Sequence, residues 1–439
     1  MCCSTFALPA RLGASLPSYS HPFGGSSHPC DSDFGRGRSK TVKDHRLEVA
    51  EIFRRYGEKF LSQWGHTLSP EQRKALRDIG VCRTAALGAH LEQCDACGHQ
   101  RPAYDSCRNR HCPKCQSTSR DRWLAKQAQA LLPVPYCHVV FTVPGELAPL
   151  ARQNPRIFYA LLFRAVAQTL LTIAADRRHL GARIGFLAVL HTWSQNLLHH
   201  PHLHCLVPAG GIALDGSRWI SCRPKFFLPV EVLSCLFRRK LLAFLAQALA
   251  EGKLRFHGPL TALADPTRFE AWLRQLPKKW VVYAKPPFGG PEQVLKYLAR
   301  YTHRVAISNG RLVSLADDRV SFRWRDSKDG KRIKVMTLDA VEFIRRFLLH
   351  ILPSGFVKIR HFGFLAHRNR AAALILCRQH LKAGTPTLPA AVTFTEQQQR
   401  AMERRCPVCQ KGTLRIVAWL SAADLVLYTS TAACLVDSS

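Results

Sequence analysis

The 439-residue sequence is short of acidic residues: 30 Asp and Glu stand against 63 Lys and Arg, which gives a formal net charge of +33. This excess excludes a surface of balanced charge and favours a polyanionic partner, most commonly nucleic acid. An anionic membrane surface is the alternative. Because 47% of the residues are hydrophobic, the chain can bury a core, and its length suits two or three domains.

Long uninterrupted hydrophobic runs are also missing. The most apolar segment, residues 157–175, contains Arg164 and Gln168, so we expect a buried or amphipathic helix rather than a membrane span. The N-terminal residues have no basic region followed by an apolar one, so no secretory signal is expected. We therefore expect a cytoplasmic, nucleoid-associated protein without a membrane partner. Its 17 cysteines then favour metal binding over disulfides.

Hydrophobic periodicity and turn signals divide the chain into four regions. Residues 1–43, rich in Ser, Gly and Pro, are expected to lack stable structure. Residues 44–130 are expected to form helices and a cysteine-rich module, and residues 131–350 short strands, long helices and a final β-meander. Residues 351–439 are expected to form a basic helical region with a weakly ordered tail. The strand–helix–strand–strand order in the third region predicts an α+β fold.

Two CxxC pairs in the segment CDACGHQRPAYDSCRNRHCPKC have the spacing of a zinc site, with fourteen residues between the pairs. The predicted ligands of one structural Zn²⁺ are Cys94, Cys97, Cys112 and Cys115. Cys107 or His111 could replace one of them, and free core cysteines are the alternative interpretation. Arg108 and Arg110 in the same loop suit contact with DNA phosphates. A further CxxC at 406–409 has no second pair nearby.

The segment HHPHLHCLVPAGG places two histidines at alternate positions of a predicted strand. Residues two apart on a strand project to the same face, so His202 and His204 would form half of a metal site. Surface or core histidines are the simpler explanation of such a pair taken alone. Gln195 is the expected third ligand, with His191 and His303 as rivals. Two imidazoles and an amide oxygen with open positions suit catalytic Mg²⁺ or Mn²⁺.

Two tyrosines follow a Gly-Gly loop in the segment KYLARYTHR. Tyr297 and Tyr301 are four residues apart and share one face of a predicted helix. Lys296, Arg300 and Arg304 repeat the same step on a neighbouring ridge and are expected to contact DNA phosphates. Packing alone could explain this helix. Together with a metal, however, a tyrosine hydroxyl could cleave a DNA strand and conserve the bond energy in a phosphotyrosine link.

These motifs together resemble the two-tyrosine HUH transposases of the insertion-sequence-ninety-one type. HPHLHCLVPAGG is similar to the HUH motif, PKKWVVYAKPPFGGPEQVLKYLARYTHRVAISNGRL to the tyrosine region, and CDACG…CRNRHCPKCQ to the N-terminal zinc module. VVFTVP resembles the first strand of the HUH sheet, and VKIRHFGFLAHRNR the basic C-terminal block. The resemblance spans roughly residues 44–380. Residues 1–40 and the tail after about Lys411 resemble no part of the family.

The resemblance implies an antiparallel HUH endonuclease core flanked by helices, with structural zinc and a catalytic divalent metal. It implies rolling-circle transposition through nicking and rejoining of single-stranded DNA, with element ends and target DNA as partners. Tyr297 and Tyr301 would be the nucleophiles. A decayed or repurposed protein that only binds element ends is the alternative. A zinc protein that binds RNA would leave the histidines and tyrosines without a role.

Overall fold

Helices and antiparallel strands make up the part of the chain that the computed structural model describes, residues 47–116, 123–124, 127–290, 293–294, 306–326, 329–330, 332–383 and 404–425. The described helices include α1 Val49–Trp64, α2 Pro70–Gly80, α3 Ala148–Gln153, α4 Pro155–Ala175, α5 Val230–Ala250, α6 Pro266–Gln275, α7 Ala340–Leu348 and α8 Arg370–His380. The described strands include β1 Ala89–Cys94, β2 Gln100–Tyr104, β3 Tyr136–Thr142, β4 Ala182–Arg183, β5 Gly185–Trp193, β6 His199–Pro208, β7 Gly210–Ala213, β8 Trp219–Ser221, β9 Val282–Phe288, β10 Leu312–Ala316, β11 Arg319–Asp326, β12 Arg332–Asp339, β13 Ile359–Gly363 and β14 Leu414–Leu420. This mixture of helices and antiparallel sheets confirms the predicted α+β class.

The largest sheet has the strand order β13-β5-β6-β3-β9, and its neighbouring strands are antiparallel. One face of the sheet packs against α4 and α5 in the main hydrophobic core. Helix α4 is long and apolar enough to span a membrane by length and composition, but 61% of its most apolar window is buried inside the protein. The expectation of a buried helix is therefore confirmed. Its Arg164 guanidinium lies over the Phe244 ring of α5.

Strands β5 and β6 form a hairpin that presents different side chains to the two faces of the sheet. Leu203 and Cys205 of β6 are fully buried on the helix side. His202 and His204 alternate with them and lie on the opposite face, as the period of two predicts. The turn at 194–198 contains Leu197 with a φ of +63°, and Ser194 closes it by accepting a backbone bond from Leu198.

A second hydrophobic core joins the first two helices to the meander. Helices α1 and α2 pack with α7 and with the sheet β10-β11-β12. The rings of Phe53 and Phe347 meet edge to face with centroids 5.2 Å apart. Ser69 and Gln72 form a reciprocal capping box at the start of α2, and Asp339 caps α7 through the backbone N–H of Val341. The predicted β-meander is thus present, and it shares its core with the N-terminal helices.

The C-terminal strand β14 pairs with β1, and β1 also pairs with β2, which gives a small three-stranded sheet. In this register Cys94 lies opposite Leu414. Residues 404–425, which supply this strand, lie in the region where the sequence predicts a weakly ordered tail. Residues 1–43, expected to lack stable structure, lie outside the described part of the chain.

Candidate functional site

Three histidines meet on the face of the main sheet that is turned away from α4 and α5. In the antiparallel register His191 of β5 lies directly opposite His202 of β6, and His204 is one step further along the same face. The ring centroids are 4.4 Å apart for His191 and His204, 4.9 Å for His202 and His204, and 5.5 Å for His191 and His202. One nitrogen of each ring lies within 4.8 Å of the other two. Three imidazoles at this separation can bind one metal ion.

In two of these rings, His202 and His204, a hydrogen bond engages the Nδ1 atom. His202 Nδ1 lies 2.7 Å from the carbonyl oxygen of His200 and donates to it, which leaves the lone pair on Nε2 free. His204 Nδ1 lies 2.9 Å from Nε2 of His138, in β3. Sequence reasoning missed His138. Its position as an imidazole in the otherwise apolar strand YCHVVFT was the available signal.

Burial holds these imidazoles in the neutral form that binds metals. It lowers the pKa of His202 to about 4, and the pKa of His138 also to about 4, with smaller contributions from neighbouring positive charge. The pKa of His204 is likewise well below its ordinary value, mainly because of burial and then because of His191, His202 and His138. His138, His202 and His204 are thus unprotonated at neutral pH.

Gln195, the expected third ligand, is not where the spacing placed it. It lies beyond the last paired residues of the hairpin, in the exposed turn, where its carbonyl oxygen accepts a bond from the Arg311 guanidinium. His191 occupies the third position because the strand register brings it opposite His202. His303, the other rival, lies outside the described residues.

The tyrosine segment lies outside the described residues, and with it the expected nucleophiles and phosphate contacts Lys296, Tyr297, Arg300, Tyr301 and Arg304. The chain on either side of it is described. Before it, Val294 packs in one buried cluster with Val189, which lies directly opposite His204. After it, Ala306 packs in another cluster with Leu197, in the β5–β6 turn. The histidines lie between these two contacts along the hairpin.

The cysteines form two clusters instead of the predicted single site. Cys112 and Cys115 lie with Cys82 and Cys107, whereas Cys94 and Cys97 lie with Cys406 and Cys409. The assignment of Cys94, Cys97, Cys112 and Cys115 to one zinc ion is therefore wrong. The pairing of β1 with β14 separates the two CxxC pairs, because it brings the C-terminal pair to Cys94.

The cluster that contains Cys112 has the dimensions of a tetrahedral zinc site. Cys115 Sγ lies 3.6 Å from both Cys82 Sγ and Cys107 Sγ, and Cys112 Sγ lies 3.6 Å from Cys82 Sγ. With zinc–sulfur bonds of about 2.3 Å, tetrahedral geometry requires about 3.8 Å between sulfurs. Four thiolates leave no open position, so zinc here has a structural role. His111 is no ligand, because its Nε2 accepts the backbone N–H of Leu352.

The loop arginines differ in their contacts. Arg108 is exposed, with a φ of +52°. Arg110 is also exposed at the surface but donates through Nη1 to the carbonyl oxygen of Phe356, at 2.8 Å. Both guanidinium groups remain candidates for contact with phosphate, and Arg108 has the freer side chain.

Comparison with known proteins identifies the class first. Residues 185–372 match the family model described as "Putative transposase", and residues 52–143 match the one described as "Transposase zinc-binding domain". The first range contains the histidine cluster and the tyrosine segment, and the second contains Cys82 to Cys115. The protein is a transposase with a zinc-binding domain.

Two relatives narrow this class to a family. The chain is 56% identical over 375 residues to the "Putative transposase y4qJ" of Sinorhizobium fredii (strain NBRC 101917 / NGR234), which covers 84% of this chain and 94% of the relative. It is 30% identical over 370 residues to the "Transposase for insertion sequence element IS801" of Pseudomonas savastanoi pv. phaseolicola, covering 79% and 85%. The chain therefore belongs to the IS91 transposase family, of which IS801 is a member. No solved structure matches it.

Proposed function

We propose that this transposase nicks and rejoins single-stranded DNA through a 5′-phosphotyrosine intermediate, with element ends and target DNA as substrates. The observation that carries this proposal is the cluster of three imidazoles on one face of the sheet. The protein belongs to a family that uses rolling-circle transposition, which agrees with this chemistry. We propose that the reaction takes place in the cytoplasm, where its DNA substrates are found.

The donor atoms of the cluster fit a divalent transition metal. His191, His202 and His204 would hold it through ring nitrogens, and His138 would orient His204 from behind. Because the amide oxygen expected from Gln195 is replaced by an imidazole, the site favours Mn²⁺ over Mg²⁺, which prefers oxygen ligands. When bound, such an ion supplies positive charge that polarises a phosphate group.

The proposed nucleophile is the hydroxyl oxygen of Tyr297 or Tyr301. It attacks the phosphorus atom, a tyrosine–phosphorus bond forms, and the bond to the 3′ oxygen breaks to leave a 3′-hydroxyl. A free 3′-hydroxyl later attacks the phosphotyrosine and releases the tyrosine, so rejoining needs no ATP. Two tyrosines allow two covalent links in succession, on donor and target strands.

Two features of residues 295–305 support the proposal that their tyrosines act at the histidine cluster. The eleven residues 295–305 carry both tyrosines, and the chain enters them from Val294 and leaves them at Ala306. Val294 packs in the cluster that contains Val189, opposite His204, and Ala306 packs in the cluster that contains Leu197, in the turn of the hairpin. Tyrosine has an ordinary pKa of about 10 and is a weak nucleophile at neutral pH. Lys296, Arg300 and Arg304 would therefore offset negative charge on the phosphate.

The zinc-binding domain has a structural part in this proposal. The cluster of Cys82, Cys107, Cys112 and Cys115 holds the end of α2 to the loop that carries Arg108 and Arg110. Fixing this loop keeps two exposed arginines on a folded surface, where they would contact DNA phosphates.

The test is incubation with single-stranded oligonucleotides from the element ends and Mn²⁺, followed by a denaturing gel. A covalent protein–DNA adduct is expected in the wild type and in Tyr283→Phe, a control at an exposed tyrosine of β9. The adduct should be absent from the Tyr297→Phe/Tyr301→Phe variant and after chelation, while DNA binding persists. An adduct in the double variant would disprove the nucleophile assignment. Tight binding without any adduct would support the decayed, binding-only alternative.

A further inference from the structure

The CxxC pair near the C-terminus lies against the pair at the end of β1. Cys97 Sγ lies 3.6 Å from Cys406 Sγ across a separation of 309 residues, and Cys94 Sγ lies 3.6 Å from Cys409 Sγ. A disulfide would require about 2.05 Å, whereas two thiolates on a tetrahedral zinc ion lie about 3.8 Å apart. We propose that this cluster binds a second structural zinc ion, which makes residues 404–425 an integral part of the zinc-binding module.

Both CxxC pairs of this cluster adopt the same backbone turn. The N–H of Gly98 donates to the carbonyl oxygen of Cys94 at 3.1 Å, and the N–H of Gln410 donates to that of Cys406 at 3.0 Å. The donor residues have φ angles of +69° and +57°. The CxxC pair of the other cluster closes with the same bond at 3.2 Å. A tight turn of this kind points both thiols of a pair toward one ion, as in a zinc site.

Backbone amides donate to the sulfur atoms of this cluster. The N–H of Ala96 donates to Cys94 Sγ at 3.5 Å, and the N–H of Gly412 donates to Cys409 Sγ at 3.4 Å. Hydrogen bonds to sulfur favour the thiolate over the thiol, and the thiolate is the form that binds zinc. Each half of the proposed site thus contributes one backbone N–H group that donates to a sulfur atom.

Contacts around the cluster fix the C-terminal pair in place. Asp95 accepts the N–H of Thr413 at 2.8 Å and the Arg415 guanidinium at 3.2 Å, while its own N–H donates to the carbonyl oxygen of Thr413. A methyl group at Gly412 would collide with Cys94 Sγ, so this position requires glycine. The two halves therefore meet through several specific contacts besides the four sulfurs.

This site extends beyond the zinc-binding domain that matches the family model. The matched ranges are residues 52–143 and 185–372, so Cys406 and Cys409 lie outside both. The domain alone contains only two of the four ligands. The second zinc would close the C-terminal segment onto β1, beside the strand pairing that already joins them.

The number of bound zinc ions tests the proposal. Elemental analysis of the full-length wild type, purified without chelator, should give two zinc ions per chain. The Cys406→Ser/Cys409→Ser variant should give one. Cys235→Ser, at an exposed thiol of α5 outside both clusters, should still give two. One zinc in the wild type, or two in the double variant, would overturn the proposal.

A second measurement covers the case in which the double variant does not fold. Full-length wild-type protein produced with Co²⁺ in place of zinc should show thiolate-to-cobalt absorption that corresponds to two tetrathiolate sites per chain. Absorption for one site would refute the second zinc. Neither readout depends on DNA cleavage, so this proposal can fail while the proposed nicking activity stands, and the reverse also holds.

Discussion

His138 Nε2 lies 2.9 Å from His204 Nδ1, and the two rings are within 4° of parallel. This bond joins neighbouring strands of the main sheet and engages Nδ1 of His204. His138 is therefore a positioning residue for the proposed metal site. Outer-shell partners of this kind fix both the tautomer and the orientation of a ligating imidazole.

We expect His138→Phe to weaken Mn²⁺ binding roughly 10- to 100-fold, since it removes the hydrogen bond between His138 and His204. His138→Gln, which retains a polar group, should restore part of the affinity. Metal binding measured by calorimetry separates this role from packing, because a purely structural change would alter the melting temperature and not the affinity of the folded protein. Equal affinity in all three proteins would contradict the positioning role.

The third ligand can be tested with a matched pair of substitutions. His191→Ala should abolish the protein–DNA adduct and the high-affinity metal site, because it removes one of three nitrogen donors. Gln195→Ala, in the exposed turn of the same hairpin, should leave both within a few-fold of wild type. Adduct yield on a denaturing gel is the readout. Loss of the adduct in Gln195→Ala but not in His191→Ala would instead identify Gln195 as the third ligand.

The choice of metal follows from the same donor set. Adduct formation should be greater with Mn²⁺ than with equimolar Mg²⁺, because imidazole nitrogens bind transition-metal ions better than Mg²⁺. Titration of each ion into metal-free protein, with adduct yield at each concentration, gives the comparison. A clear preference for Mg²⁺ would indicate that an oxygen ligand completes the site.

We expect the buried imidazole of His350 to lower the stability of the folded protein in acid. Its Nε2 lies 3.1 Å from the carbonyl oxygen of Leu197 and its Nδ1 lies 3.2 Å from Thr192 Oγ1, and burial lowers its pKa to about 4. The unfolded chain binds the proton near pH 6.5, so this stabilisation is complete above that pH. This contribution to the free energy of unfolding is lost as the pH falls toward 4. At pH 5 the loss is about 2 kcal/mol.

Urea unfolding at pH 7.5 and pH 5 measures this effect. His350→Gln should show a smaller stability difference between the two pH values than the wild type, by roughly that amount. His66→Gln, at an exposed histidine, is the control and should match the wild type. An unchanged difference in His350→Gln would show that other groups cause the acid sensitivity.

Cys82 tests the corrected cysteine assignment. Cys82→Ser should remove one zinc ion per chain and lower the melting temperature, because it breaks the cluster that anchors the end of α2. Cys137→Ser, at a buried thiol outside both clusters, should retain the full zinc content. Unchanged zinc in Cys82→Ser would restore the pairing of Cys94 and Cys97 with Cys112 and Cys115.

The local parts of the site could be predicted from the sequence, and the long-range parts could not. The alternation of β6 placed His202 and His204 on one face, because the period of a strand is a local property. The third ligand depends on the register of β5 with β6, and spacing alone led to Gln195 instead of His191. Register is determined by side-chain packing and turn geometry together.

The same distinction applies to the cysteines. Each CxxC motif correctly predicted two cysteines that belong to the same cluster, because the motif forms a local turn. Their division into two clusters depends on the contact between Cys94 and the segment after Arg405, which are far apart in sequence. No local pattern encodes such a contact. For His138 the local signal was an imidazole in an apolar strand, but its bond to His204 depends on the pairing of β3 with β6.

The pairing of β1 with β14 has a consequence for the synthesis of this protein. During translation, β1 leaves the ribosome early, but its partner follows only after more than three hundred further residues. Until then one edge of β1 remains unpaired, and an exposed edge invites wrong pairing with other chains. A product of premature termination would keep that edge permanently open. Only a chain translated beyond β14 can complete the sheet that contains β1.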